Sequence, residues 1–264
     1  MKLVVFADIH YLDDEHTEET GRKLTWLAVP LVEKLASEVE KIKPDACFCL
    51  GDFIEDTENH DIDAANLRYI WSKLTKFPKP LFAVPGNHDL RTLENEEIAE
   101  IMGTNHQTFS TDLGGYHFVC LWPEKNANIP DTAGSTFKTQ YISQKDLDWL
   151  KQDLQDSQKP SLVFLHFGLA NDEMRDHFWF AHDSERAVVA NREDVKKILR
   201  QHNVLAVFSG HQHWTKHLRE DGIDYYVVGS ITEDIDGQGI PDGVYFEVDL
   251  DGDNVKATEK HVRL

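Results

Sequence analysis

Cysteine is scarce: only Cys47, Cys49 and Cys120 occur in 264 residues. Cys47 and Cys49 lie two apart in the strand-like run DACFCL, so both point to one face and fill core rather than bind metal. No disulfide framework is implied. Long hydrophobic runs are also missing, since no apolar stretch approaches the roughly 20 residues that would span a bilayer. That excludes a membrane-spanning helix. The start, MKLVVFADIH, reaches Asp8 and His10 before the apolar stretch of a signal peptide could be completed; it reads as a first strand, and a cytoplasmic location is expected. Positive charge is in short supply too, with 27 Lys and Arg against 47 Asp and Glu and a formal net charge of −20. Such a chain repels polyanions, which makes nucleic acid a poor partner and leaves a small phosphate ester, held through bound cations, as an open possibility. No internal repeat, low-complexity stretch or Pro- or Ser-rich linker divides the sequence, so a single domain over 1–264 is expected.

Apolar runs that end in short polar clusters recur at 3–7, 46–50, 81–84, 116–121, 161–166, 204–209, 225–229 and 244–248. They read as strands, mostly buried on both faces. Between them lie helical patterns at 22–42, 62–75, 94–102, 143–155 and 191–202. Ser143 followed by Asp146 marks one helix start, and Asn191 with Glu193 and Asp194 marks another. Trp26, Trp71 and Trp149 fall within these helical patterns and are expected in the core. After SGHQHW the helices stop, and short strands alternate with turn signals, which predicts an antiparallel run that finishes the fold. The class is α/β: two packed sheets flanked by helices.

The ends of five expected strands read ADIH, LGDFIE, PGNHD, LHFG and SGHQH. In open α/β sheets ligands bind beyond the carboxyl ends of the strands, so five loops far apart in sequence can converge on one crevice. This gathers Asp8, His10, Asp52, Asn87, His88, His166, His211 and His213. A mixed set of carboxylate, amide and imidazole donors suits Mn, Fe, Zn or Ni better than Ca or Mg. Asp8 with His10, and His211 with His213, are spaced i, i+2, which in extended backbone points both side chains to one cavity. Seven further histidines, at 16, 60, 106, 117, 202, 217 and 261, belong to no such set and read as structural or surface residues.

In all five blocks, taken in order over residues 8–213, the chain resembles the calcineurin-like metallophosphoesterase superfamily. The resemblance implies a four-layer αββα sandwich of two mixed β-sheets flanked by helices, with a binuclear metal centre. It implies that Asp8, His10 and His213 hold one ion, Asn87, His166 and His211 the other, and Asp52 both. His88 would then be a catalytic histidine that contacts no metal, with Asp89 orienting it. The mechanism implied is attack of a metal-bridging hydroxide on phosphorus. Neutral Asn87 would leave its ion more positive charge for the phosphate. Two positions depart from the common pattern: Glu55 stands where many relatives have Asp, and Gly168 where many have Pro, a change expected to loosen the loop that carries His166. DIH and GDFIE lack the tyrosine of the purple acid phosphatase branch. The groups it resembles most are class III cyclic nucleotide phosphodiesterases and glycerophosphodiesterases, which makes small phosphodiesters the expected substrates. Phosphomonoesters or nucleotide diphosphates are the alternative, and a metal-free interaction scaffold is a reading of another class.

Two stretches are candidates for contacting the substrate. Tyr11 closely follows Asp8 and His10. The segment 167–190 is long for a connection and is expected to cap the substrate, with Arg175, His177 and Trp179 as the proposed contacts beside Phe178 and Phe180.

Overall fold

The computed structural model describes residues 1–13, 21–78, 80–104, 107–124, 141–172, 174 and 176–264. Strands Lys2–Phe6 (β1), Ala46–Cys49 (β2) and Leu81–Ala83 (β3) run parallel, as connections through intervening helices require. On the other edge of β1 lie Val244–Asp251 (β10) and Asn254–His261 (β11), each antiparallel to its neighbour, in the order β11-β10-β1-β2-β3. The second sheet holds Phe109–Leu113 (β4), Tyr116–Cys120 (β5), Ser161–Phe164 (β6), Val204–Ser209 (β7), Lys216–Glu220 (β8) and Ile223–Val227 (β9). Its order is β4-β5-β6-β7-β9-β8, with β5, β6, β7 and β9 parallel and β4 and β8 antiparallel at the edges.

Alternation along the strands sorts their side chains between two cores. Leu162, Phe164, Ala206 and Phe208 face the first sheet, whereas Val163, Leu165 and Val207 face outward. Phe48 of β2 stacks on Phe164 of β6 at 3.8 Å between ring centroids, which locks the sheets face to face, and within the second sheet Phe164 stacks on Phe208 at 5.5 Å. Helices Ala28–Ile42 (α1), His60–Leu74 (α2) and Asn95–Met102 (α3) contribute buried side chains to the core of the first sheet. Gln144–Ser157 (α4) and Arg192–Leu199 (α5) cover the outer face of the second. The result is the αββα sandwich.

The expected start of α4 is present, with Ser143 Oγ accepting from the Asp146 N–H at 3.1 Å. Asn191 does not cap α5. Its side-chain amide instead exchanges two hydrogen bonds with the backbone of Ile142 and pins the chain ahead of α4. Trp71 and Trp149 are partly buried against the core as expected, but Trp26 is 51% exposed, because it falls in a 3₁₀ turn (Thr25–Leu27) ahead of α1 rather than on the packed face of a helix. The C-terminal third is not one antiparallel run. It is divided between the sheets: β9 joins β7 in parallel, and the chain then crosses to β10 in the other sheet. On the way Ser230 bridges Ala7 at the end of β1, which carries residues 230–234 past the ends of the central strands.

Candidate metal centre

The five motifs converge at one end of the sandwich. Asp8, His10, Asp52, His211 and His213 all have positive φ, between 49° and 66°. Left-handed backbone is uncommon for residues with a Cβ and clusters at functional sites. The DIH and HQH pairs are therefore presented by a turn in the left-handed region at each residue, not by extended strand. Two glycines make the close packing possible. A Cβ on Gly86 would come within 2.1 Å of Asp52 Oδ1, and one on Gly210 within 2.6 Å of Asp8 Oδ2.

Two groups of donor atoms share Asp52. In the first, one ligand atom each from Asp8, His10, Asp52 and His213 lie within 4.8 Å of one another; in the second, so do atoms of Asp52, His166 and His211. Asn87 Oδ1 joins the second group, 3.1 Å from His166 Nε2. Every imidazole in these groups is oriented by a partner on its far nitrogen. His10 Nδ1 donates to Glu55 Oε2 at 2.8 Å, His213 Nδ1 to Glu233 Oε2 at 2.9 Å, and His166 Nδ1 to the Leu50 carbonyl at 2.6 Å. His211 is turned the other way: its Nε2 donates to the Arg186 carbonyl at 2.9 Å, which leaves Nδ1 for the cluster. Such outer partners set the tautomer and aim the ring of a metal-binding histidine.

The inward-facing atoms fit cations. His10 Nε2 and His213 Nε2, whose protons are committed on the other side, approach to 2.9 Å. Asp52 Oδ2 is buried without a hydrogen-bond partner among the described residues, 3.2 Å from His166 Nε2 and 3.7 Å from His10 Nε2. Converging lone pairs and an orphaned carboxylate oxygen are costly unless positive charge lies between them. Burial and charge act on the individual donors in different directions. Burial pushes the Asp8 carboxyl up to about 6 against the pull of His213 and His166. Burial also resists charge on His166, yet the adjacent Asp52 carries that imidazole up to about 9. Asp8 and His166 thus favour a proton, whereas burial holds His10 and His211 in the neutral form that can donate a lone pair to a cation. The buried His and Asp cluster is suited to a dimetal centre.

His88 stands beside the first group, its ring 4.9 Å from that of His10. Its Nδ1 donates to Asp56 Oδ1 at 2.6 Å, and its backbone N–H to Asp52 Oδ1 at 2.9 Å. Asp89 was expected to orient this ring, but its carboxylate is spent on backbone. Oδ2 accepts from Gly86, and Oδ1 from Phe53 and Ile54, at 2.8, 2.9 and 3.2 Å. Asp89 thus ties the GNHD loop to the GDFIE loop, and Asp56 holds His88.

The substrate-contact candidates separate. Arg175 lies outside the described residues. His177 does not face a cleft: it is buried, Nε2 donates to the Gln212 carbonyl at 2.7 Å, and Nδ1 accepts from the Trp179 N–H at 3.2 Å. Burial accordingly depresses its pKa to about 4. It fastens the segment to the HQH loop. Tyr11 packs against Tyr69, ring centroids 5.1 Å apart. Trp179 does approach the centre, with its indole N–H 3.3 Å from Glu233 Oε1 and its ring 6.4 Å from that of His213. Gly168 accommodates Gln212, whose Nε2 lies 2.9 Å from where a Cβ would stand. Gln212 in turn donates to the Ala187 carbonyl, so the loop after His166 is held despite the absent proline.

Three charged residues at the centre carry no motif signal: Lys23, Asp56 and Glu233. Glu233 sits in SITEDIDG, just after a strand, and that position at a sixth strand end was the available clue. Lys23 and Asp56 had none beyond nearness to the motifs.

Comparison with known proteins agrees with this geometry. The chain is 24% identical over 251 residues to the 3′,5′-cyclic adenosine monophosphate phosphodiesterase CpdA of Haemophilus influenzae, covering 94% of this chain and 81% of that protein. The fold is similar to that of a dimetal phosphatase from Danio rerio, with a TM-score of 0.73, 17% identity and 99% of each chain covered. It is also similar to the purple acid phosphatase PPD1 of Lupinus luteus, with a TM-score of 0.68 and 14% identity over 99% of this chain and 51% of that one. The family model for calcineurin-like phosphoesterases matches residues 1–215, a span that contains all five motif loops, and the chain belongs to that family.

Proposed function

We propose that the protein is a binuclear metal-dependent phosphodiesterase acting on small phosphodiesters. The observation that carries this reading is the buried Asp52 Oδ2, without a hydrogen-bond partner among the described residues, between two sets of oriented imidazoles. Asp8, His10 and His213 hold one cation, Asn87, His166 and His211 the other, and Asp52 is shared; the mixed donors suit Mn, Fe, Zn or Ni. Two such ions, when bound, supply the nucleophile and neutralise charge on the phosphoryl oxygens. His88 contributes at Nε2. With Nδ1–H committed to Asp56, the ring in its imidazolium form presents Nε2–H to the substrate, where it stabilises or protonates the leaving oxygen. Asp89 works through the backbone, keeping the loops of Asp52 and His88 in register. Segment 167–190 borders the substrate through Trp179, and Tyr11 adds to the rim.

The preference for a diester rests on the likeness to the cyclic nucleotide phosphodiesterase of Haemophilus influenzae. The net charge of −20 favours small substrates over polyanions. The test is a substrate panel on protein reconstituted with each of Mn, Fe, Zn and Ni, comparing cyclic nucleotides, glycerophosphodiesters, and aryl mono- and diesters. Hydrolysis of diesters above monoesters supports the reading. Monoester preference replaces it with a phosphomonoesterase, and two bound metals with no hydrolysis of any ester make the protein a scaffold.

A further inference from the structure

Beside the two donor groups lies a third, formed by His10, Glu55 and His88, whose ligand atoms also fall within 4.8 Å of one another. Lys23 reaches into it. Its ammonium donates to Glu55 Oε1 at 2.8 Å and Oε2 at 2.6 Å, and lies 3.2 Å from His88 Nε2. The residue is only 7% exposed, and the Trp179 ring lies 5.7 Å from Nζ. Its position is built in by the main chain, because Lys23 forms a backbone bridge with Glu233, and the flanking Leu24 and Asp234 amides reach across to Thr232 and Arg22.

We propose that Lys23 is a substrate-contacting cation: its ammonium binds the phosphoryl oxygen that comes to face His88, adding a third positive centre to the two cations of the proposed function, on which this inference rests. An ammonium has three donors and no acceptor. Two of them serve Glu55, and that alone would neutralise the carboxylate. The ammonium also stands beside Nε2, the ring nitrogen of His88 that Asp56 leaves to the substrate. An oxygen seated against that nitrogen therefore meets the lysine as well. Glu55 makes this possible because its carboxylate spans both Lys23 Nζ and His10 Nδ1.

The experiment measures binding of inorganic phosphate by calorimetry to metal-loaded wild type, Lys23→Met and the double variant Lys23→Met/Glu55→Gln, with metal content by elemental analysis and kcat/KM on an aryl phosphodiester. In the double variant no carboxylate charge remains to be neutralised, while the amide oxygen still accepts from His10 Nδ1. Two metals are expected in all three proteins. Phosphate binding should weaken about 10- to 100-fold in both variants, the range for loss of a charge-assisted hydrogen bond, and kcat/KM should fall in parallel. Recovery of wild-type phosphate affinity in the double variant would show that Lys23 merely balances Glu55 and overturns the proposal. So does metal lost from Lys23→Met and regained in the double variant. If metal-loaded wild type hydrolyses no ester yet binds phosphate in a Lys23-dependent way, the phosphodiesterase reading fails and the role of Lys23 stands.

Discussion

Asn in place of Asp52 tests the shared carboxylate with little disturbance of shape. Oδ1 accepts the His88 N–H at 2.9 Å, a bond the amide oxygen preserves, and the amide nitrogen would face His166 Nε2, now 3.2 Å from Oδ2. The metal-free variant provides the baseline for its own metal-dependent gain. The gain in stability on adding metal should not survive. A ligand at a hundredfold excess over its Kd stabilises by about 2.7 kcal/mol, so two sites give roughly 5 kcal/mol. In a chain of this length that raises Tm by about 10–20 °C, at about 2–4 °C per kcal/mol. If loss of the charge weakens each site about 100-fold, the same metal concentration equals Kd, and each site yields only about 0.4 kcal/mol. The increment then shrinks to about 2–3 °C. His10→Ala removes a ligand of the first cation and none of the second, and should retain about half the wild-type increment, whatever it does to the metal-free melt. Thermal melts with and without Mn²⁺, read beside elemental analysis, decide the matter. Two tightly held ions and an undiminished increment in Asp52→Asn would refute the bridging assignment.

His88→Ala should keep both metals by elemental analysis while turnover drops about 10²- to 10⁴-fold, with a smaller loss for esters whose leaving group needs no proton; loss of an ion would instead make His88 a ligand. Glu233→Ala removes the acceptor that aims His213 and should weaken metal binding about 10- to 100-fold, measured by competition with a chelator, whereas Glu233→Gln should recover part of it. His117 is a pH-dependent clamp remote from the centre, with Nδ1 on Asp112 and Nε2 on Asp153, both at 2.8 Å. Burial opposes its charge, but the bonds to Asp153 and Asp112 prevail and raise its pKa. A raised folded-state value means the stabilisation is complete below the unfolded value of about 6.5 and disappears as pH climbs through the folded one. The Tm deficit of His117→Gln should accordingly be largest near pH 6 and fade toward pH 9, and a deficit independent of pH would contradict the clamp.

Local pattern was enough to place the central strands, the five helices and the donor set. Strands such as LVVFA and SLVFLH are apolar on both faces because both faces are covered, and that pattern is local. So is the chemistry of DIH, GDFIE, GNHD and HQH, whose residue types announce metal binding wherever the chain carries them. Edge strands were not legible in the same way. β4, β8 and β11 are largely half-exposed and polar, since an edge covered on one side needs no continuous apolar run. Nor was the backbone at the ligands, where left-handed turns replace the extended geometry that i, i+2 spacing suggested. Tertiary structure alone decided the partners. Asp56 rather than Asp89 holds His88, Glu233 reaches His213 only because the chain crosses between sheets after β9, and Lys23 meets Glu55 and His88 from the turn ahead of α1. A lysine or glutamate in a polar stretch reads as solvated until the fold buries it against an opposite charge. Burial of that kind depends on contacts between residues far apart in the chain, which no local pattern encodes.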